Sequence, residues 1–278
     1  MTRSSLAWGI LIAAGALATA PASAAQPRWV ADWGVDQCTL IQKAEGQRPA
    51  LVALARNPAS GVTTLTLLDP AWKTAPVRRA EELQLLVEPS GRSFPGLRPV
   101  TMVGGPAVQV SREDDALTAE LPRMQAVSLR RGGATLLRMP VAGAAKAAAA
   151  LRECEDALLR DWGVDPAVYA TLRAKPEPVQ AVAALVSEAD YPADARNAGA
   201  MGTTGATVLV NPDGRVAKCL VTSSSGNASL DAKTCRLLSE RARFTPAVDA
   251  QGRKVLAPFA TSIGWALPAE AESFKPDY

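Results

Sequence analysis

Histidine is absent from all 278 residues. That removes Ser-His-Asp and Cys-His triads, imidazole acid–base chemistry and most zinc or copper sites. Aromatic residues are scarce at 5%, and net charge is only +3, too small and dispersed for a nucleic-acid surface. The densest basic spot, Arg130-Arg131, reads as a solvated turn. Paired carboxylates are few: Glu81-Glu82, Asp114-Asp115 and Glu153-Glu155-Asp156 all fit solvated turns or helix faces. Gly104-Gly105 and Gly132-Gly133 lack the strand–loop–helix setting of a phosphate loop. Ser223 to Ser225 has no base near it in sequence and reads as a strand end and loop, although a Ser-Lys arrangement stays open. No catalytic residue, metal ligand set or cofactor is therefore assigned, and the chain is not expected to be an enzyme.

Long apolar runs are also missing, with one exception at the start. Arg3 is followed by an apolar middle from Leu6 to Ala18 and by Ala22-Ser23-Ala24, a small-residue cleavage pattern. Residues 1–25 therefore read as a signal peptide. The run is short against the ~20 residues that span a bilayer. The alternative is an uncleaved inner-membrane anchor over residues 6–25, the only way this chain would touch a membrane.

What is present is core material. Apolar residues make up 48% and charged residues 21%, in a length that holds two domains. Residues 26–165 form a β-rich N-terminal domain. Strand-like runs cover Leu51 to Arg56, Val62 to Leu68, Gln84 to Glu88, Pro99 to Val103, Gln125 to Arg130 and Ala134 to Met139. Asn57-Pro58, Asp69-Pro70, Pro89-Ser90-Gly91 and Gly132-Gly133 break them, the pattern of an antiparallel sheet or small sandwich. Val141 to Trp162 then reads as a closing helix, with Leu151, Cys154, Leu158 and Trp162 on one face and Gly163 as its stop. Asp32-Trp33-Gly34-Val35-Asp36 recurs as Asp161-Trp162-Gly163-Val164-Asp165; the flanks do not match, which favours coincidence or two similar caps. Residues 166–190, with Pro166, Pro176 and Pro178, read as a semi-rigid linker holding a helical turn or two. Residues 191–268 form a second domain, and 269–278 a polar tail.

In that second domain Gly205 to Asn211 is β-rich. Asn211-Pro212-Asp213-Gly214-Arg215 is a tight turn, and Val216 to Thr222 is the returning strand. Ser229 to Arg243 reads as a helix, capped by Asn227 or Ser229 and stopped by Pro246. Lys254 to Leu267 reads as a last strand, with Pro258 marking an edge or a bulge. Cys219 thus lies on a strand and Cys235 on the helix over it. A bridge would stabilise by ~3 kcal/mol for a loop of this size; the alternative is two buried free thiols. Four cysteines with no C-x-x-C fit structural bridges in an exported chain. Keeping each bridge within a domain pairs Cys38 with Cys154, and Cys219 with Cys235.

Tyr191-Pro192, the glycine-led strand, Asp213-Gly214-Arg215-Val216, the helix, Arg241-Ala242-Arg243-Phe244-Thr245-Pro246-Ala247 and the final strand follow one another in an order that resembles the C-terminal domain of the TonB family of energy transducers. The resemblance covers about a quarter of the chain. It implies an α+β architecture here: a β-rich N-terminal domain closed by a helix, then a small antiparallel sheet with a helix on one face. It further implies a periplasmic location and β-augmentation, in which an extended segment of an outer-membrane transporter, or of another envelope protein, adds as a strand to the sheet edge. On this chain the implied edge residues are Ala260, Thr261, Ser262, Ile263 and Trp265. A homodimer is the other partner considered. TonB transducers also carry a His in a membrane helix that engages a proton-driven motor. Without any His, the resemblance supports the strand-adding module and not energy transduction. A structural envelope protein, in which this domain only packs or dimerises, is the competing reading.

Overall fold

A computed structural model of the chain describes residues 28–44, 50–72 and 83–267. Residues 1–25, read from sequence as a signal peptide, the tail and Glu81-Glu82 lie outside these residues.

Alternation builds the first half. In β1 (Trp29–Trp33), β2 (Cys38–Lys43), β3 (Leu51–Arg56) and β4 (Thr63–Leu68) each strand pairs antiparallel with the next. Cys38, Leu40, Val52, Leu54, Leu65 and Leu67 are buried on the shared inner face. The chain then leaves for β5 (Leu83–Glu88) and β6 (Arg92–Phe94), and returns as β7 (Arg98–Met102) and β8 (Gly105–Arg112). β8 pairs with β4, so the first sheet runs β1-β2-β3-β4-β8-β7. After a short helix α1 (Ala116–Glu120) come β9 (Ala126–Arg131) and β10 (Ala134–Pro140), which complete a second sheet ordered β10-β9-β5-β6. Leu85, Val87, Val127 and Leu129 from this sheet share one core with the first.

Helix α2 (Ala144–Asp161) closes that core with Leu151, Cys154, Leu158, Leu159 and, just past its end, Trp162. It stops at Gly163, whose φ of +79° lets its N–H reach Arg160 O at 2.8 Å while Val164 N–H reaches Leu159 O at 2.8 Å. The two Asp-Trp-Gly-Val-Asp copies are unlike. Asp161–Asp165 ends a helix with Trp162 buried, whereas Asp32–Asp36 ends β1 with Trp33 half exposed. Cys154 is bonded to Cys38, Cα atoms 6.0 Å apart, which pins α2 to β2. Beside this bond Arg56, opposite Cys38 in the ladder, donates to Glu155 (2.5 Å), Thr63 (2.7 Å) and Asp115 (2.8 Å).

The connector holds the expected helical turns and, besides them, a short strand. Pro166 opens α3 (Pro166–Tyr169), capped by Asp165, and the Tyr169 hydroxyl donates to Pro58 O at 2.5 Å. β11 (Glu177–Pro178) then pairs with a strand far downstream, and single 3-10 turns cover Val182–Leu185 and Glu188–Asp190.

After α4 (Ala193–Asn197) come β12 (Gly202–Val210), β13 (Val216–Ser223) and α5 (Ala228–Arg241). The chain ends in β14 (Phe244–Thr245), β15 (Ala247–Val248), β16 (Lys254–Val255) and β17 (Ala257–Trp265). The strand read as continuous from Lys254 to Leu267 is thus two: β16 folds back on β15, and β17 begins after Leu256. The sheet order is β13-β12-β17. No helix among the described residues is long and apolar enough to cross a membrane.

Candidate functional site

β12 is central, so its side chains sort the sheet into two faces. Ala206, Val208 and Val210 point to α5 and share a core with Leu230, Leu237, Leu238 and Phe244. Leu209 points the other way and belongs to the core of the first half, with Leu220, Leu256 and Ala260 packed against it. One face is therefore covered by the domain's own helix and the other, in part, by the N-terminal sheets.

The hairpin between β12 and β13 depends on one glycine. Asn211 O accepts from Gly214 N–H, Asn211 Oδ1 from Asp213 and Arg215 N–H, and Gly214 has φ +74°. A Cβ on Gly214 would lie 2.1 Å from Phe244 O, while Gly214 O accepts from Phe244 N–H. The turn and the segment after α5 thus meet at a place only glycine fits. Opposite Val208, Cys219 faces α5 and is bonded to Cys235, Cα atoms 5.6 Å apart, so the helix is covalently held to β13.

The remaining clamps, at the two ends of α5, are polar. Asp231 accepts from Thr204, Ser224 and Ser225 hydroxyls and from Ser225 N–H, which absorbs the serine run into a helix-end knot. Asp190 is buried and receives both Arg241 Nη1 (2.6 Å) and Nη2 (2.7 Å), Ser187 Oγ (2.8 Å) and Lys233 Nζ at 3.3 Å. The Arg241 hydrogen bonds outweigh burial, and Ser187 and Lys233 add to them, holding its carboxyl well below the ordinary 3.8. A cavity of about 320 Å³ beside it contains Ser229 and Lys233. The Ser229 hydroxyl is bonded to Asp194 and Lys233 to Asp190, so the two are engaged apart from each other.

A depressed folded pKa means the unfolded state binds the extra proton, so stability rises with pH between the two values. Asp190→Asn is therefore expected to lower the melting temperature at neutral pH. The gap between wild type and variant closes as pH falls below about 3.8. Thermal melts from pH 7 to pH 2 check this; a gap that widens toward acid contradicts it.

β17 is the margin of the sheet. Its register runs from Gly202↔Trp265 to Val210↔Ala257 against β12. Among the described residues no strand pairs with its outer side, although the turn Val182–Leu185 packs near it on the helix side. In nine residues it carries no charge, and its one proline, Pro258, is second in the strand. The sequence-derived edge residues divide by face. Ile263 and Trp265 are buried towards α5, where Trp265 Nε1 donates to Thr234 Oγ1 at 2.9 Å and its ring meets Tyr191 edge-on at 5.5 Å. Thr261 shares that face and is half-buried, whereas Ala260 leans on the N-terminal core and Ser262 is half-buried beside it. The Tyr191 hydroxyl donates to Ala200 O, tying the Tyr-Pro start of the domain to the base of β12.

The arrangement defines a small antiparallel α+β module, helix on one face, disulfide-stapled, with one long uncharged margin. Residues 187–267 match the family model described as Gram-negative bacterial TonB protein C-terminal, and that stretch is TonB C-terminal-like. The solution NMR structure of Pseudomonas aeruginosa TonB CTD is similar at 20% identity over 34% of this chain and 89% of that one, with a TM-score of 0.27. No curated protein matches. Residues 1–186 lie outside the family match.

Proposed function

We propose that this chain is an exported envelope protein that takes an extended segment of an outer-membrane transporter, or of another envelope protein, as a fourth strand on β17, in the service of transport across the envelope. The observation that carries the reading is the bare outer side of β17. Nine uncharged residues at an edge lack the lysines and inward charges that ordinarily guard such strands. Main-chain donors and acceptors there offer sequence-tolerant affinity. Burial of Ile263 and Trp265 supports the same reading, because it holds the strand in the sheet and leaves its backbone to pair. The family resemblance supports a location in the periplasm, with anchoring through residues 6–25 as the alternative.

The second reading, a structural protein whose TonB-like domain only packs, is favoured by Leu209, Leu220 and Ala260 meeting the N-terminal core. That contact covers a face and leaves the margin open, so the first reading is preferred.

Neighbouring strand residues point their N–H groups to opposite sides, so one of Thr261 and Ser262 faces outward. Proline at the outward position is expected to keep the fold and abolish capture of transporter N-terminal peptides in pull-downs with both disulfides intact. No capture by wild type at any salt concentration, or undiminished capture by both proline variants, overturns the proposal.

A further inference from the structure

The first sheet has its own unguarded margin. β1 stands at one end of the six strands, and among the described residues nothing pairs with its outer side. Other edges carry protection: Arg98-Pro99 in β7, Arg138 and Pro140 in β10, Arg92 in β6 and Lys218 in β13. β1 has neither lysine nor proline, and it presents large apolar side chains to solvent. Val30 is 62% exposed, Trp33 51% and, in the turn that follows, Val35 72%. Trp29 Nε1 is buried with no acceptor.

The strand is complementary to itself. In an antiparallel pair of copies centred on Val30, position 28 stands opposite position 32. Arg28 then meets Asp32 of the second copy, and Asp32 meets Arg28. Val30 meets Val30, and the bulky Trp29 meets the small Ala31. Both charges are exposed, and neither forms an ion pair within the chain among the described residues. A register centred on Asp32 would set two carboxylates face to face, which opposes pairing. The charge pattern therefore selects one register, and it selects a second copy of this chain as the occupant.

We infer that β1 is a self-pairing strand, through which two copies join about a twofold axis at Val30 and extend the six-stranded sheet into twelve. A five-residue strand pair is a small contact, so the dimer is weak and concentration-dependent, with a dissociation constant on the order of 10 µM. Nothing in it depends on β17, and the test uses the exported chain alone without any peptide.

Sedimentation equilibrium from about 1 µM to about 1 mM, roughly one decade below to two decades above the expected constant, reads the assembly. Val30→Lys places two ammonium groups on the axis and is expected to weaken dimerisation at least about tenfold. Asp32→Arg weakens it similarly, and the exchange Arg28→Asp with Asp32→Arg restores it, because opposite charges again stand across the axis. All three positions are exposed, and circular dichroism checks that each variant is folded. A chain that is monomeric throughout, a dimer indifferent to Val30→Lys, or a charge exchange that fails to restore what Asp32→Arg removed would each overturn the inference.

Discussion

Replacing Cys38 and Cys154 together by alanine is expected to cost about 2–5 kcal/mol, toward the upper end for so long a loop. The bond spans 116 residues, and in the chain-entropy account a longer closed loop removes more freedom from the unfolded chain. It also closes the packing: both half-cystines are 1% exposed and join α2 to β2 inside the N-terminal core. Arg56, Glu155 and Asp115 form their ion cluster immediately beside it, and any loosening of α2 separates the half-buried Glu155 from Arg56. The Cys219–Cys235 bond spans 16 residues, so its double alanine variant is expected to lose less, about 3 kcal/mol. Differential scanning calorimetry of the two double variants measures the order. A smaller loss for the Cys38/Cys154 variant would contradict it.

Trp265→Ala is the second large effect, about 3–5 kcal/mol for a fully buried aromatic. Trp265 is 2% exposed and lies where β17, α5 and the start of the domain converge. Its removal takes the packing on Tyr191 and the hydrogen bond to Thr234, and leaves a cavity at the end of the strand proposed to receive a partner. Trp265→Phe separates the contributions. Thr234 Oγ1 still donates to Leu230 O at 3.0 Å, so no buried group is stranded and the loss falls to about 1 kcal/mol. Chemical denaturation read by near-ultraviolet circular dichroism distinguishes the two. Equal losses would mean that the indole N–H, and not ring volume, holds β17 in place.

Much of the local structure is legible in the sequence. Six strand runs in the N-terminal half fall within a residue or two of observed strands, because one-sided burial writes an alternation into each. The α2 face was visible in Leu151, Cys154, Leu158 and Trp162. The tight turn at Asn211 to Arg215 was visible in its proline and glycine. The helical turns of the connector were legible, but its strand was not, for a physical reason: β11 is two residues long and is a strand only because β14, sixty-odd residues later, pairs with it. The break at Leu256 was hidden in the same way, since β16 is defined by its pairing with β15.

Sequence alone marked six strand runs of the first half, the two long helices, the cysteine pairing and the TonB C-terminal-like character of residues 187–267, since each of these is encoded in residues close together or in ordered motifs. Only the tertiary structure decided that β4 lies against β8, that Asp190 meets Arg241, that Leu209 turns to the N-terminal core while Val208 turns to α5, and that β1 and β17 are left at the margins. A period of two says that a strand has two faces and two edges. Which face is covered, and which edge stays bare, depends on hydrogen bonds and packing between residues far apart in the chain.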